Sequence, residues 1–196
     1  MNLALFDFDG TITDCDTFTP FIKKVVPPER MRWGRLFLAP SIIGYRAGLV
    51  SSSRIRQLVV KTGLKGFSKK ALEEEGLLHA REFIPSVIRP EARERLQWHQ
   101  SQGDRIVVVS ASLDVYLRPW CEQMGFDLHC VELEIVDDIL TGRYLGGDCT
   151  GLGKVERVRK LLDLSSFKKI YAYGDTKEDD ELLAIADEKY FQWTKI

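Results

Sequence analysis

The sequence predicts an α/β fold: a Rossmann-like parallel sheet with helices on both faces, an inserted helical cap and a small β-hairpin. Three observations predict it. Short, largely apolar runs from Leu3 up to Asp9, at 105–109 and at 169–173 are separated by segments of helical periodicity. Strand alternating with helix argues for a parallel sheet covered on both faces. The first run is continuously apolar, as in a strand buried on both sides. The stretch between the first and second strands is far too long for a simple crossover, which marks it as an insertion. The expected division is a core of residues 1–14 and 86–196 and a helical cap of residues 15–85.

Each element has a local reason. The first strand, Leu3-Ala4-Leu5-Phe6-Asp7-Phe8-Asp9, ends in two carboxylates where it gives out into a glycine turn at Gly10-Thr11. Residues 14 to about 85 read as loops and helices, and in one helix Ser68 is the cap and Leu72, Gly76, His79 and Phe83 fall on one stripe. Pro90 suits the first position of the next helix, with Ala92, Leu96 and His99 on one face and Gly103 as its stop. Residues 105–109 (RIVVV) form a buried strand rich in β-branched side chains. A helix over about 113–124 is stopped by Gly125 and interrupted near Pro119. Residues 128–136 and 139–145 flank Asp137-Asp138 as a hairpin. Helix at 154–162, strand at 169–173, helix at 177–186 and a last short strand at 190–193 complete the chain.

The most apolar segment is 36–50 (LFLAPSIIGYRAGLV). Its fifteen residues include Pro40 and Arg46. A membrane span needs about 20 apolar residues, so no integral membrane segment is expected. The segment is expected to pack the cap together. Upstream, Lys23, Lys24, Arg30, Arg32 and Arg35 interleave with Trp33 and Phe37. The simpler reading is a solvated basic face over a cap core; the alternative is an interfacial surface for anionic lipid.

Composition narrows the function. The 196 residues are 44% hydrophobic and 29% charged, which fits one globular domain with an inserted lobe. The net charge of -1 and the lack of an RNA-binding signature make nucleic acid an unexpected partner. Cys15, Cys121, Cys130 and Cys149 show no C-x-x-C spacing, and His79, His99 and His129 are scattered, so no zinc site is expected. No basic region precedes the first apolar run, which does not resemble a secretory signal. A reducing cytoplasm with free, mostly buried thiols is the expected setting.

The chemistry concentrates at strand ends, where open α/β sheets bind ligands. Side chains two apart along a strand share a face, so Asp7 and Asp9 are expected to point the same way. Two carboxylates held that close repel, and a hard divalent cation such as Mg²⁺ relieves the repulsion and often works beside a phosphate. Ser110 follows the second strand, and its hydroxyl with the Ala111 amide suits a phosphoryl oxygen. Lys154, in Thr150-Gly151-Leu152-Gly153-Lys154, stands at a helix start, where a cation opposes the dipole unless an anion is near. Gly174-Asp175-Thr176-Lys177-Glu178-Asp179-Asp180 packs four acids after the third strand: a second metal-binding half, with helix capping at Asp175 accounting for part of the run.

These four motifs, DFDGT, a strand ending in serine, a later lysine and GDxxxD, occur in the order that resembles the haloacid dehalogenase superfamily. The resemblance spans the chain. The insertion after the first motif, with the Leu140-Thr141-Gly142-Arg143 turn and strand, is similar to the phosphoserine-phosphatase-like branch. It implies a HAD-like catalytic core and a Mg²⁺-dependent phosphatase acting on a small phosphorylated substrate. Asp7 is implied as the nucleophile that forms an aspartyl-phosphate, and Asp9 as the general acid and then base. Ser110, Ala111 and Lys154 are implied to bind the phosphate. Asp7, Asp9 (through its carbonyl), Asp175 and Asp179 are implied to hold the ion. A phosphate-binding module without catalysis is the less expected alternative, because the whole set is present. A carbon–halogen hydrolase is less expected still, because that chemistry needs neither Asp9 nor Mg²⁺.

The substrate is less constrained. Phosphoserine phosphatases carry a glutamate after the first motif where this chain has Asp14 and Asp16, an SGG-like second motif where it has Ser110-Ala111-Ser112, and Asn where it has Glu178. Asp16, Arg54 and Arg56 are the expected cap contacts to an amino-acid-like substrate. Phosphoserine-like substrates are the default, and a phospholipid headgroup of the phosphatidylglycerophosphate type is the alternative.

Overall fold

The computed structural model describes all 196 residues. Strand β1 (Leu3–Phe6) is the centre of one seven-stranded sheet, flanked by β2 (Arg105–Leu113) and β5 (Ile170–Gly174). Outside these lie β3 (Asp127–Val136) and β6 (Glu188–Phe191), and these five strands are parallel. Strands β4 (Ile139–Leu145) and β7 (Thr194–Lys195) close the two edges as antiparallel hairpin partners. Helices α5 (Pro90–Ser101), α6 (Asp114–Met124), α7 (Leu152–Leu161) and α8 (Asp180–Ala184) follow or link the strands. This is the α/β class expected.

All four residues of β1 are fully buried, as the unbroken apolar run requires. Phe6 stacks on Tyr173 of β5 at 4.2 Å between ring centres. His99 of α5 bonds the Tyr173 hydroxyl through Nε2 at 2.9 Å and Asp104 through Nδ1 at 2.8 Å, so one buried imidazole ties helix to sheet. Pro90 opens α5 and Ala92, Leu96 and His99 are its buried face.

Between β1 and β2 run α1 (Phe18–Val25), α2 (Pro28–Arg46), α3 (Ser52–Gly63) and α4 (Lys69–Leu78). The β3–β4 hairpin turns at Asp137 and Asp138, both at positive φ. Its tip is stitched to this helical segment by backbone bonds from Gly66 and Lys69 to the carbonyls of Leu140 and Asp138.

Several local expectations are corrected. Strand β1 ends at Phe6, so Asp7 and Asp9 lie in the turn after it. Strand β2 runs on to Leu113, and Ser110 sits inside it where pairing to β3 shifts register between Val109 and Leu113. Ser68 precedes α4 without a side-chain capping bond. Helix α6 passes through Pro119 unbroken. A proline there leaves the Val115 carbonyl without its helical partner. That carbonyl faces Gly76 of α4, where a Cβ would sit 2.2 Å from the oxygen, so only glycine fits. The segment 36–50 does not pack the cap: in α2 only Leu38 is buried. No helix is long and apolar enough to cross a membrane.

His79 is buried under the rings of Phe21, Phe83 and Tyr116. Its Nε2 donates to the Thr17 carbonyl at 3.2 Å. Burial pulls its pKa down to about 4. The unfolded chain takes this proton near pH 6.5, the folded chain only near 4. The stabilisation is therefore complete above pH 6.5 and is lost as pH falls towards 4, by about 3 kcal/mol. His79→Gln should flatten the decline of Tm between those pH values; parallel wild-type and variant curves would refute the assignment.

Candidate active site

Strands β1 and β5 end side by side, because Phe6 is in register with Tyr173, and β2 runs on past Val108, the partner of Phe6, alongside the loops that follow. The loops beyond them converge. Gly10, at φ 84°, brings the first loop against the last: a Cβ there would lie 2.3 Å from Asp175 Oδ2. Thr11 Oγ1 donates to Asp175 Oδ1 at 3.2 Å, and Arg89 Nε holds the Gly10 and Thr13 carbonyls at 3.1 Å each.

Asp7 is buried and accepts a hydrogen bond from Lys154 Nζ. The same ammonium donates to Asp179 Oδ1 at 2.6 Å. Lys154 is the third residue of α7 and only 2% exposed. A cation at a helix N-terminus is unfavourable alone; two carboxylates compensate it here. Burial works against the ammonium charge, but Asp7 and Asp179 outweigh it and hold its pKa above the ordinary value. Burial pushes Asp7 up to about 7, against the pull of Lys154 and with a push from Asp179 and Asp9.

Asp9 points elsewhere. Its Oδ1 accepts from the Thr17 amide at 2.7 Å and the Thr17 hydroxyl at 2.6 Å, and its Oδ2 accepts from Ser112. Burial raises its pKa, with Asp16 adding to the rise and these donors opposing it. A half-buried carboxyl group with a raised pKa, held by three donors, is suited to carry a proton. Neither Thr17 nor Ser112 was singled out by sequence; Ser112 was visible only as the second serine of Ser110-Ala111-Ser112.

The last loop is a capping box. Thr176 caps the short turn Lys177–Asp179, and Asp179 Oδ2 accepts from the amides of Asp175 and Thr176 at 3.1 Å each. Capping is therefore centred on Thr176, not Asp175. Asp7, Asp175 and Asp179 each offer a carboxylate oxygen, and these atoms lie within 4.8 Å of one another. The donor set is all hard oxygen, with Lys154 as the buried cation beside it, and burial followed by Asp179 raises the pKa of Asp175. Such a cluster fits a divalent ion of the Mg²⁺ type. The Asp9 carboxylate stands outside it.

A cavity of about 710 Å³ opens onto Asp7, Asp9, Ser110, Ala111, Lys154 and Asp179. Its other wall comes from the helical segment, with Phe18, Ile22, Met31, Ile42, Tyr45, Ile55 and Val59 providing apolar surface. Asp16 and Arg56 also line it, but both are engaged: Asp16 accepts from the Phe18 and Thr19 amides at 3.2 and 3.0 Å, and Arg56 pairs with Glu178 at 3.0 Å. Ser52 donates to Glu178 as well, so α3 is bonded to the loop that carries Asp179. Arg54 does not line this cavity. It faces a separate one of about 310 Å³ with Lys61, Arg143 and Tyr144.

Residues 4–184 match the model of the haloacid dehalogenase-like hydrolases. Protein CicA from Caulobacter vibrioides is 36% identical over 199 residues, covering 97% of this chain and 85% of that protein. A histidinol-phosphatase from Neisseria meningitidis is 30% identical over 200 residues, covering 95% and 88%. A solved structure described as the phospho-aspartyl intermediate analogue of phosphoserine phosphatase superposes with a TM-score of 0.64 at 21% identity, covering 97% and 85%.

Proposed function

The chain belongs to the haloacid dehalogenase-like hydrolase family and is a phosphoric monoester hydrolase; from that premise we propose that it is a Mg²⁺-dependent, phosphoserine-phosphatase-like enzyme hydrolysing a small phosphomonoester through an aspartyl-phosphate on Asp7. The observation that carries this reading is the meeting of Asp7 with Lys154, Asp175 and Asp179 beside a cavity that Asp7, Asp9, Ser110, Lys154 and Asp179 line. In it, residues 15–85 are the cap over a core of residues 1–14 and 86–196.

Asp7 attacks phosphorus and the ester C–O oxygen leaves with the proton of Asp9. Asp9 then takes a proton from the water that hydrolyses the acyl phosphate, restoring Asp7. Thr17 and Ser112 hold Asp9 in place for both transfers. Lys154 and the Ser110 hydroxyl offset phosphate charge, and the Ala111 amide adds a neutral donor. Asp7, the Asp9 carbonyl, Asp175 and Asp179 would hold Mg²⁺, whose charge offsets the repulsion between an anionic nucleophile and an anionic ester.

Specificity is proposed to lie in the cap wall. The apolar surface from α1, α2 and α3 suits a leaving group with a small hydrophobic or ring portion, and Asp16 suits a cationic nitrogen on it. Asp16→Asn, which keeps an acceptor for the amides at the start of α1, should raise KM for phosphoserine or histidinol phosphate about tenfold and change KM for an aryl phosphate by less than about twofold, since the charge that would meet a cationic nitrogen is lost. Arg56→Ala should lower kcat on all of them, because it releases Glu178 and the loop of Asp179. Absence of turnover across a broad panel of phosphomonoesters with Mg²⁺ present would overturn the reading.

A further inference from the structure

Helix α2 presents two apolar faces. One turns inward: Leu38 is buried and Met31, Ile42 and Tyr45 line the cavity. The other has no partner. Trp33, Leu36, Phe37, Pro40 and Ile43 recur at spacings of three and four, the repeat that puts residues on one helix face. All are exposed, Trp33 by 67% and Phe37 by 81%. Leu49, in the loop just past the helix, is 84% exposed. Solitary surface hydrophobes are ordinary; a stripe of five with two aromatics marks an interaction surface.

The charge around the stripe selects its partner. From Arg30 to Leu72 there is no Asp or Glu, and there are ten Lys and Arg. The rest of the chain carries the other 18 Lys and Arg against all 29 Asp and Glu, so the net positive charge lies in this region; the one acid of α2, Glu29, stands in its first turn. Arg32, Arg35 and Arg46 are exposed and have no carboxylate partner, and Arg35 also reaches the rim of the active-site cavity. They fall along one border of the apolar stripe by helical spacing. Arg54, also exposed, opens the neighbouring α3. An apolar, aromatic-bearing helix face edged by unpaired arginines is complementary to an anionic bilayer: the rings enter the headgroup boundary while the guanidinium groups meet lipid phosphates. A second copy of the chain docked face to face would bring these like charges together instead.

We propose that the outer face of α2, with Leu49 and the flanking arginines, docks the protein on anionic membrane surfaces. This is a reversible, peripheral contact and does not rest on the phosphatase reading.

The test is flotation of the purified protein with vesicles of phosphatidylcholine alone, and with vesicles in which about a third is phosphatidylglycerol. At low salt the bound fraction should be at least about tenfold higher on the anionic vesicles, and it should fall steeply as ionic strength rises. Trp33→Ser with Phe37→Ser should remove binding by loss of apolar contact, and Arg32→Glu with Arg46→Glu by reversed charge. Both should unfold cooperatively at a Tm close to wild type, which separates loss of docking from misfolding without relying on the active-site assignment. Equal binding to both lipids, no binding to either, or unchanged binding by the folded variants would overturn the proposal. So would a dimer in sedimentation equilibrium that Trp33→Ser with Phe37→Ser dissociates, because the stripe would then be covered by a second copy.

Discussion

Asp7→Asn is expected to abolish turnover of every phosphomonoester, lowering kcat by at least about 10⁴-fold, or roughly 5.5 kcal/mol of transition-state stabilisation. The change replaces one carboxylate oxygen by an amide nitrogen of nearly the same size. It removes the anionic nucleophile and one ligand of the acid cluster, while the side chain still fills its site. The fold should tolerate it. Burial already pushes the Asp7 carboxyl up to about 7, so a neutral group there relieves a cost of folding. Lys154 keeps Asp179 at 2.6 Å and is not left as an uncompensated buried charge. Thermal unfolding should therefore show a Tm close to wild type beside an inactive enzyme. Beryllofluoride, which mimics an acyl phosphate, should label Asp7 in the wild-type protein and nothing in the variant. An adduct on Asp9 would reverse the two roles, and an active Asp7→Asn protein would remove the nucleophile from this site.

How far the sequence reaches depends on whether a feature is local. Strand β1 is written in four consecutive apolar residues, and the Asp137-Asp138 turn in two, so both were legible. The strand-end positions of Asp7 and Asp175 followed from order along the chain, since parallel strands bring their carboxyl ends to one edge of a sheet, and Lys154 stood out as a cation at a helix start. The partners of Asp9 were not legible. Thr17 lies eight residues further on and Ser112 in β2, and neither stands in a pattern that requires it. The Arg56–Glu178 pair joins residues 122 apart in the chain, so Arg56 reads in sequence as a free cap cation and is in fact occupied. Pro119 was misread because its cost depends on what meets the freed Val115 carbonyl, and that is Gly76 on another helix. Helix α2 misled for a different reason. It is apolar on an inner and an outer face at once, so its sequence looks like core material, and its positive charge is spread thinly over a long acid-free stretch instead of forming a tract.

Removal of divalent metal should silence the enzyme as completely as loss of Asp7. With excess chelator, aryl phosphate turnover should fall to background, and added Mg²⁺ should restore it. The reason is the balance of charge: Asp7, Asp175 and Asp179 converge within 4.8 Å, and Lys154 alone cannot neutralise three carboxylates and an incoming phosphate. A cation that binds only the folded chain also stabilises it. At a concentration near 100 times Kd the gain is about 2.7 kcal/mol, equivalent to roughly 5–10 °C in Tm for a chain of this size. Asp175→Asn should abolish that shift with little change in the metal-free Tm, because Asp175 is half-exposed and its carboxylate is destabilised by burial and by Asp179. The apparent affinity should also depend on pH with a definite sign. Metal takes the ionised carboxylates, and Asp7 in the metal-free protein is held up to about 7, so binding competes with a proton below that value and strengthens as pH rises through it. Full activity in chelator, or a Tm shift that survives in Asp175→Asn, would dismiss this acid cluster as the metal centre and leave Lys154 as the sole counter-charge for the phosphate.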